Sequence, residues 1–255
     1  MMSGASTTFE DRNAELSRLA SLFPSAAAAD RARRTAPGLF DAVDELWTTI
    51  CNDPNLSPRL RELIILARHG ASSSLNGEAI KRHVGRALAA GASPAEIADV
   101  LVTIVPMANH PLYEAVPILV EELQAAGSPE AEIGPMSAES RAIKDAFIAQ
   151  RGFWPELRDL LARLMPDYFA AFMRASNETW VTGTLSPKEH ELIYIAVDSS
   201  ITQVNKGGIR MHIREALRLG ATRAEILAML QLAALLGTEG YVLAMSAAVD
   251  MEKPA

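Results

Sequence analysis

The sequence predicts an all-α chain made of two tandem homologous helical domains. Three observations carry this. A long segment recurs at a fixed offset, each copy carries the capping residues of the same successive helices, and strand signals are weak in a chain with only 5% aromatic residues. Leu56-Ser57-Pro58-Arg59-Leu60-Arg61-Glu62-Leu63-Ile64 returns as Leu185-Ser186-Pro187-Lys188-Glu189-His190-Glu191-Leu192-Ile193, an offset of 129. At that offset 18 of the 50 positions from Leu56 to Val105 are identical without a gap, more than shared composition gives. Upstream, Pro37 pairs with Pro166 and Phe40 with Phe169.

The elements follow in order. Ser57-Pro58 and Ser186-Pro187 place an N-cap hydroxyl before a proline at the first helical position. Leu60, Leu63, Ile64 and Ala67 then recur at the three-four spacing of one buried face. The next helix carries His83, Ala87 and Leu88 and stops at Gly91, as its copy stops at Gly220, where glycine takes the left-handed cap. Ser93-Pro94-Ala95-Glu96 and Thr222-Arg223-Ala224-Glu225 are capping boxes. An apolar helix closes each unit, around residues 112–126 and 240–251. Gly, Ser and Pro between 127 and 137 mark a linker, giving domains at 1–126 and 138–255.

Composition narrows the function. The 255 residues carry 24 Lys+Arg against 31 Asp+Glu, a net charge of −7 that suits neither a nucleic-acid surface nor a polybasic membrane anchor. No uninterrupted apolar run reaches membrane-spanning length, and Met1–Ser6 lacks a basic region followed by an apolar stretch, so a cytoplasmic protein is expected. A single cysteine, Cys51, excludes an internal disulfide framework and multi-cysteine metal sites. It precedes the turn residues Asn52-Asp53-Pro54 and reads as inert.

Two ionisable positions shared by the copies stand out. His83 and His212 coincide at the offset while most neighbouring polar positions differ, which favours a functional role for at least one of them over retention by descent. Glu62 and Glu191 lie on an otherwise apolar helix. Each is explained equally well as a first-turn glutamate favoured by the helix dipole, or as the partner that fixes the tautomer of a histidine in a proton-transfer pair. Glu96 and Glu225 are fully explained by their caps. His110 coincides with Glu239, both at a loop-to-helix junction and both open to reading as helix-start residues. His69 and His190 read as exposed. One histidine and one glutamate per unit are too few for a metal site, and phosphate-binding glycine loops and nucleophile elbows are missing from the sequence.

These residues resemble the carboxymuconolactone decarboxylase family, which includes the alkylhydroperoxidase D-like proteins. The likeness spans about 56–125 and 185–250, and is greatest to tandem two-domain members. It implies an all-helical fold and assemblies of six units, here a homo-oligomeric trimer that is a pseudo-hexamer. In peroxidase members a Cys-x-x-Cys pair precedes the histidine. Those positions hold Asn76 and Ala79 in one copy and Asn205 and Gly208 in the other, so thiol peroxidase chemistry is excluded. The acid–base branch remains. It implies a cofactor-free decarboxylase acting on a small carboxylated lactone or enol acid of aromatic catabolism. His83 is then the expected proton donor, with Glu62, His110, His212 and Glu191 as further catalytic candidates. Arg82, Arg86 and Glu239 are the expected substrate-binding residues. The first copy is preferred because it adds His110 and the basic Lys81, Arg82 and Arg86. An isomerase, dehydratase or hydrolase on the same scaffold, or a non-catalytic helical oligomer, are the competing readings.

Overall fold

The computed structural model describes residues 18–251, and every regular element among them is helical. Met1–Ser6, read above for a leader, lies outside the described residues. The first half contains α1 (Ala26–Thr35), α2 (Pro37–Cys51), α3 (Pro58–Gly70), α4 (Gly77–Ala89), α5 (Pro94–Ile104) and α6 (His110–Ala125). After a 3₁₀ turn at Pro129–Ala131 come α7 (Ala138–Arg151), α8 (Leu157–Leu164), α9 (Pro166–Val181), α10 (Pro187–Asp198), α11 (Lys206–Arg218), α12 (Arg223–Ala234) and α13 (Leu236–Met251). At the offset of 129, α2 to α6 coincide with α9 to α13.

The caps form as their residues dictate. Ser57 accepts from the Leu60 amide, and Ser93–Glu96 and Thr222–Glu225 close capping boxes, as do Ser186 and Glu189. Gly91 and Gly220 adopt φ of +94° and +86°. The loops before α4 and α11 repeat a costlier feature: Leu75 (φ 41°) and Val204 (φ 37°) are left-handed without being glycine, at equivalent positions.

The hydrophobic core spans both halves. At its centre α3 packs on α10, and each of these also packs on α5 or α12 from the opposite half. Both helices are buried around their circumference, from Glu62 to His69 and from His190 to Asp198. His69 and His190, expected on the surface, are therefore each only 1% exposed. Their polarity suggested a solvated face, but a central helix has none. Closing helices are exchanged: α13 of the second half packs on α1, and α6 of the first packs on α8. The segment Arg223–Ala248 has the length and hydropathy of a membrane span. However, it is interrupted at Leu235 between α12 and α13 and half of it is buried inside the protein, as in core helices.

A buried polar strut helps to tie the halves together. The Asp99 carboxylate accepts from the Thr184 and Leu185 amides (2.7 and 2.8 Å) and meets His190 Nε2 at 3.0 Å. Gly183 lets the chain approach, since a Cβ there would lie 2.6 Å from Asp99 Oδ2. Replacing Asp99 with alanine strands the Leu185 amide and His190 in the core and removes the acceptor of the part-buried Thr184 amide. Urea unfolding of D99A should show a loss of roughly 2–4 kcal/mol.

Candidate functional site

Each half builds a glutamate–histidine pair from its two central helices. In the first, Glu62 Oε2 lies 2.8 Å from His83 Nδ1; in the second, Glu191 Oε2 lies 2.6 Å from His212 Nδ1. All four side chains are buried. Each carboxylate also takes a guanidinium, but from different places. Arg86 of α4 holds Glu62, with Nη2 2.9 Å from Oε1. Position 215, its counterpart, is Glu215, and Glu191 is instead held by Arg151 from the end of α7, 2.8 Å away and stacked 3.3 Å over the Trp180 ring. Burial opposes the charge on Glu62, but Arg86 and the His83 hydrogen bond outweigh it and bring the carboxyl to about 2.

The second pair of residues at each site crosses between halves. His110 does not join His83. Because α6 and α13 are exchanged, His110 lies at the second-half site, with Nδ1 3.5 Å from Asp198 Oδ1. Glu239 lies at the first-half site, with Oε1 3.3 Å from His83 Nε2 and 3.5 Å from His69 Nε2. His69 and Asp198 occupy equivalent positions, as do Glu239 and His110. Both sites thus hold an imidazole facing a carboxylate at these two positions, with the two groups interchanged.

The sites differ in access. Over the first, the Leu19–Leu22 turn forms a roof: Arg82 donates to the Leu22 carbonyl (3.0 Å) and to Glu239, and Arg86 donates to Ser21 Oγ (2.6 Å). Arg82 and Arg86, expected to hold a substrate carboxylate, are committed to the protein's own carboxylates, and Lys81 is exposed. His83 is fully buried, and beside Glu239 and His69 a cavity of only about 280 Å³ remains. The second site opens into a cavity of about 1070 Å³ lined by His110, Tyr113, Arg151, Arg158, Asn205 and His212. Arg82 and Arg86, two of the basic neighbours that favoured the first copy, close it, and the accessible site is the second. Arg158 spans the Phe147 and Phe172 rings and donates to the Tyr113 hydroxyl (3.4 Å) and towards Met173 Sδ, with no carboxylate partner among the described residues.

Electrostatics at the open site set two groups apart. Burial, with only partial compensation from His212 and Asn205, pushes the Asp198 carboxyl up to about 6. Burial together with the charges of His212 and Arg158 pushes His110 down to about 4. Asp198 Oδ2 has no hydrogen-bond partner and lies 3.9 Å from His212 Nε2. A Cβ at Gly208 would come within 1.9 Å of that oxygen, so glycine, at the position where the peroxidase motif has cysteine, admits the carboxylate. Asp198, Arg151 and Arg158 were not legible in the sequence. Asp198 aligns with a histidine, and the arginines lie outside the matching segment. Cys51 is buried, and burial together with Glu62 pushes its thiol up to about 12.

A model of the carboxymuconolactone decarboxylase family matches residues 37–122 and 166–250. The chain belongs to the carboxymuconolactone decarboxylase family. As a tandem member without the cysteine pair, it is similar to a solved structure from Burkholderia xenovorans described as a proposed gamma-carboxymuconolactone decarboxylase subunit. The two share 29% identity with a TM-score of 0.82, over 97% of this chain and 100% of that one. Among curated proteins no match was found. In this family member the matched segments hold Glu62, His83, Glu191, His212, His110 and Glu239, whereas Arg151 and Arg158 lie between them.

Asp198 gives a prediction with a definite sign. The unfolded chain releases this proton near pH 4 and the folded chain holds it to about 6, so this contribution to stability is lost as pH rises between those values. The stability of D198N relative to the parent should therefore climb from pH 4 to 6 by up to about 3 kcal/mol, then level off. Denaturant midpoints in a pH series measure it. Cys51→Ala should leave any activity unchanged, checked by direct assay, because the thiol is neither ionised nor in the cavity.

Proposed function

We propose that the chain is a cofactor-free decarboxylase of a small carboxylated lactone or enol acid, and that it works at the second-half site. The observation that carries this reading is the large cavity lined both by His212, backed by Glu191, and by Arg158, an arginine without an acidic partner among the described residues. Arg158 binds the substrate carboxylate that is not lost, through the bidentate geometry that guanidinium offers. The scissile carbon–carbon bond breaks, carbon dioxide leaves, and the electron pair passes through the alkene to the carbonyl oxygen as a dienolate. The Tyr113 hydroxyl, which lines the same cavity, is the donor for that oxyanion. His212 Nε2 then delivers a proton to carbon, while Glu191 fixes the ring from the other side. His110 and Asp198 complete the wall behind it. His83, the donor expected from the sequence, has no route to a substrate of this size.

Carbon dioxide release from carboxylated butenolides by the purified chain tests the reading. H212A should lower kcat by roughly 10²–10⁴-fold. Arg158→Met should act mainly on KM, raising it roughly tenfold or more, as loss of a charged anchor does. Turnover that survives both substitutions overturns the assignment.

Assembly belongs to the same proposal. Leu39 and Leu46 on α2 and Ile118 and Leu119 on α6 are each more than half exposed, apolar surface that a partner subunit would cover. A trimer, six repeats in all, is the expected assembly. Light scattering at micromolar concentration should give three times the 27.5 kDa chain mass, and a stable monomer would contradict it.

A further inference from the structure

The closed first-half site is left unused by this chemistry, yet its polar groups are arranged for a ligand. His69 Nε2 and a ring nitrogen of His83 converge with Glu239 Oε1, and the ligand atoms of this cluster all lie within 4.8 Å of one another. The separations from Glu239 Oε1, 3.3 Å to His83 Nε2 and 3.5 Å to His69 Nε2, are long for hydrogen bonds. They match the spacing of ligands around one ion. Atoms bound about 2.0–2.1 Å from a tetrahedral zinc ion lie about 3.4 Å apart, and two imidazoles sharing it have ring centres about 5 Å apart. The His69 and His83 centroids are 5.2 Å apart.

We infer that His69, His83 and Glu239 form a binding site for a divalent transition metal of the zinc class, assembled from both halves of the chain. Two nitrogens and one carboxylate oxygen suit zinc, cobalt or iron(II) and disfavour magnesium and calcium, which prefer all-oxygen sets. The supporting groups are those a metal site needs. Glu62 takes the other nitrogen of His83 at 2.8 Å, fixing that ring with Nε2 turned inward. Arg82 holds Glu239 Oε2, leaving Oε1 to face the histidines. The two glutamates and Arg82 and Arg86 cancel in charge, so the dication favours an anionic fourth ligand such as hydroxide. The 280 Å³ cavity beside His69 and Glu239 supplies space for it. At the second-half site the interchange of acid and imidazole breaks the set: Gln203 and Asn205 occupy the His110 nitrogens, and Asp198 Oδ2 stays 3.9 Å from His212.

Metal binding by the full-length chain tests this independently of any catalytic activity. The purified protein is stripped with a chelator, then titrated with Co²⁺ followed by visible absorption and with Zn²⁺ followed by calorimetry. One equivalent per chain should bind with a dissociation constant in the micromolar range or below, giving the visible bands of a four- or five-coordinate cobalt. E239Q and H69Q, each checked by circular dichroism for retained helix, should weaken binding at least 100-fold. The double variant H110A/H212A should bind as the parent does. No saturable one-equivalent binding, binding retained in both E239Q and H69Q, or binding lost with H110A/H212A would each overturn the assignment. If it fails by absent binding or by binding retained in both E239Q and H69Q, the proposed decarboxylase chemistry at His212 stands untouched, whereas binding lost with H110A/H212A would move the metal to His212 and count against both.

Discussion

A carboxylate in the middle of a helix that has no wet face must be neutralised by groups from other helices, and much of this structure follows from that requirement. Glu62 and Glu191 sit on α3 and α10, which are buried all round because each packs on its own half and on the opposite one. A buried ion without partners costs several kcal/mol. Each glutamate therefore fixes a histidine on the next helix and draws in an arginine. These pairings anchor α4 to α3 and α11 to α10 through charge as well as through packing.

The source of the arginine decides how each site looks from outside. In the first half Arg86 comes from α4 itself, and with Arg82 it pins the Leu19–Leu22 turn across the entrance. In the second half, the equivalents of these arginines are Glu215 and Met211, and neither can reach back to a carboxylate as a cation. The positive charge arrives from α7, whose end approaches from the side, over Trp180. The entrance is left to Tyr113, Arg158 and the loop before α11. Identical glutamate–histidine pairs thus become one closed and one open site through the route by which their counter-charge reaches them.

Much of this was legible in the residues. The helices, their caps and the glutamate–histidine pairing follow from local chemistry duplicated at a fixed offset, and local chemistry is what a sequence displays directly. The exchange of α6 and α13 was not, because an offset says which positions are equivalent and nothing about which half receives them. That is why His110 was grouped with His83, in the wrong half. His69 and His190 were misread for a related reason. A polar residue marks a solvated face only on a helix that has one, and whether α3 and α10 are peripheral or central is decided by long-range packing.

The interchange of His69 and Glu239 with Asp198 and His110 also constrains how such a duplicated chain can diverge. Replacing either group alone would set two imidazoles or two carboxylates against each other within the core, with the latter penalised by both burial and repulsion. Exchanging both preserves the net charge of the pair and changes what surrounds it. In the first half burial opposes ionisation of Glu239, yet the nearby imidazoles of His69 and His83 and the charge of Arg82 hold its carboxyl well below the usual range. In the second half Asp198 has no arginine, and burial dominates to push it the other way. The same two kinds of side chain thus supply a firmly ionised carboxylate on one side and a carboxyl that titrates near pH 6 on the other. Duplication followed by a paired exchange is therefore enough to give one helical unit two different chemical environments without altering its fold.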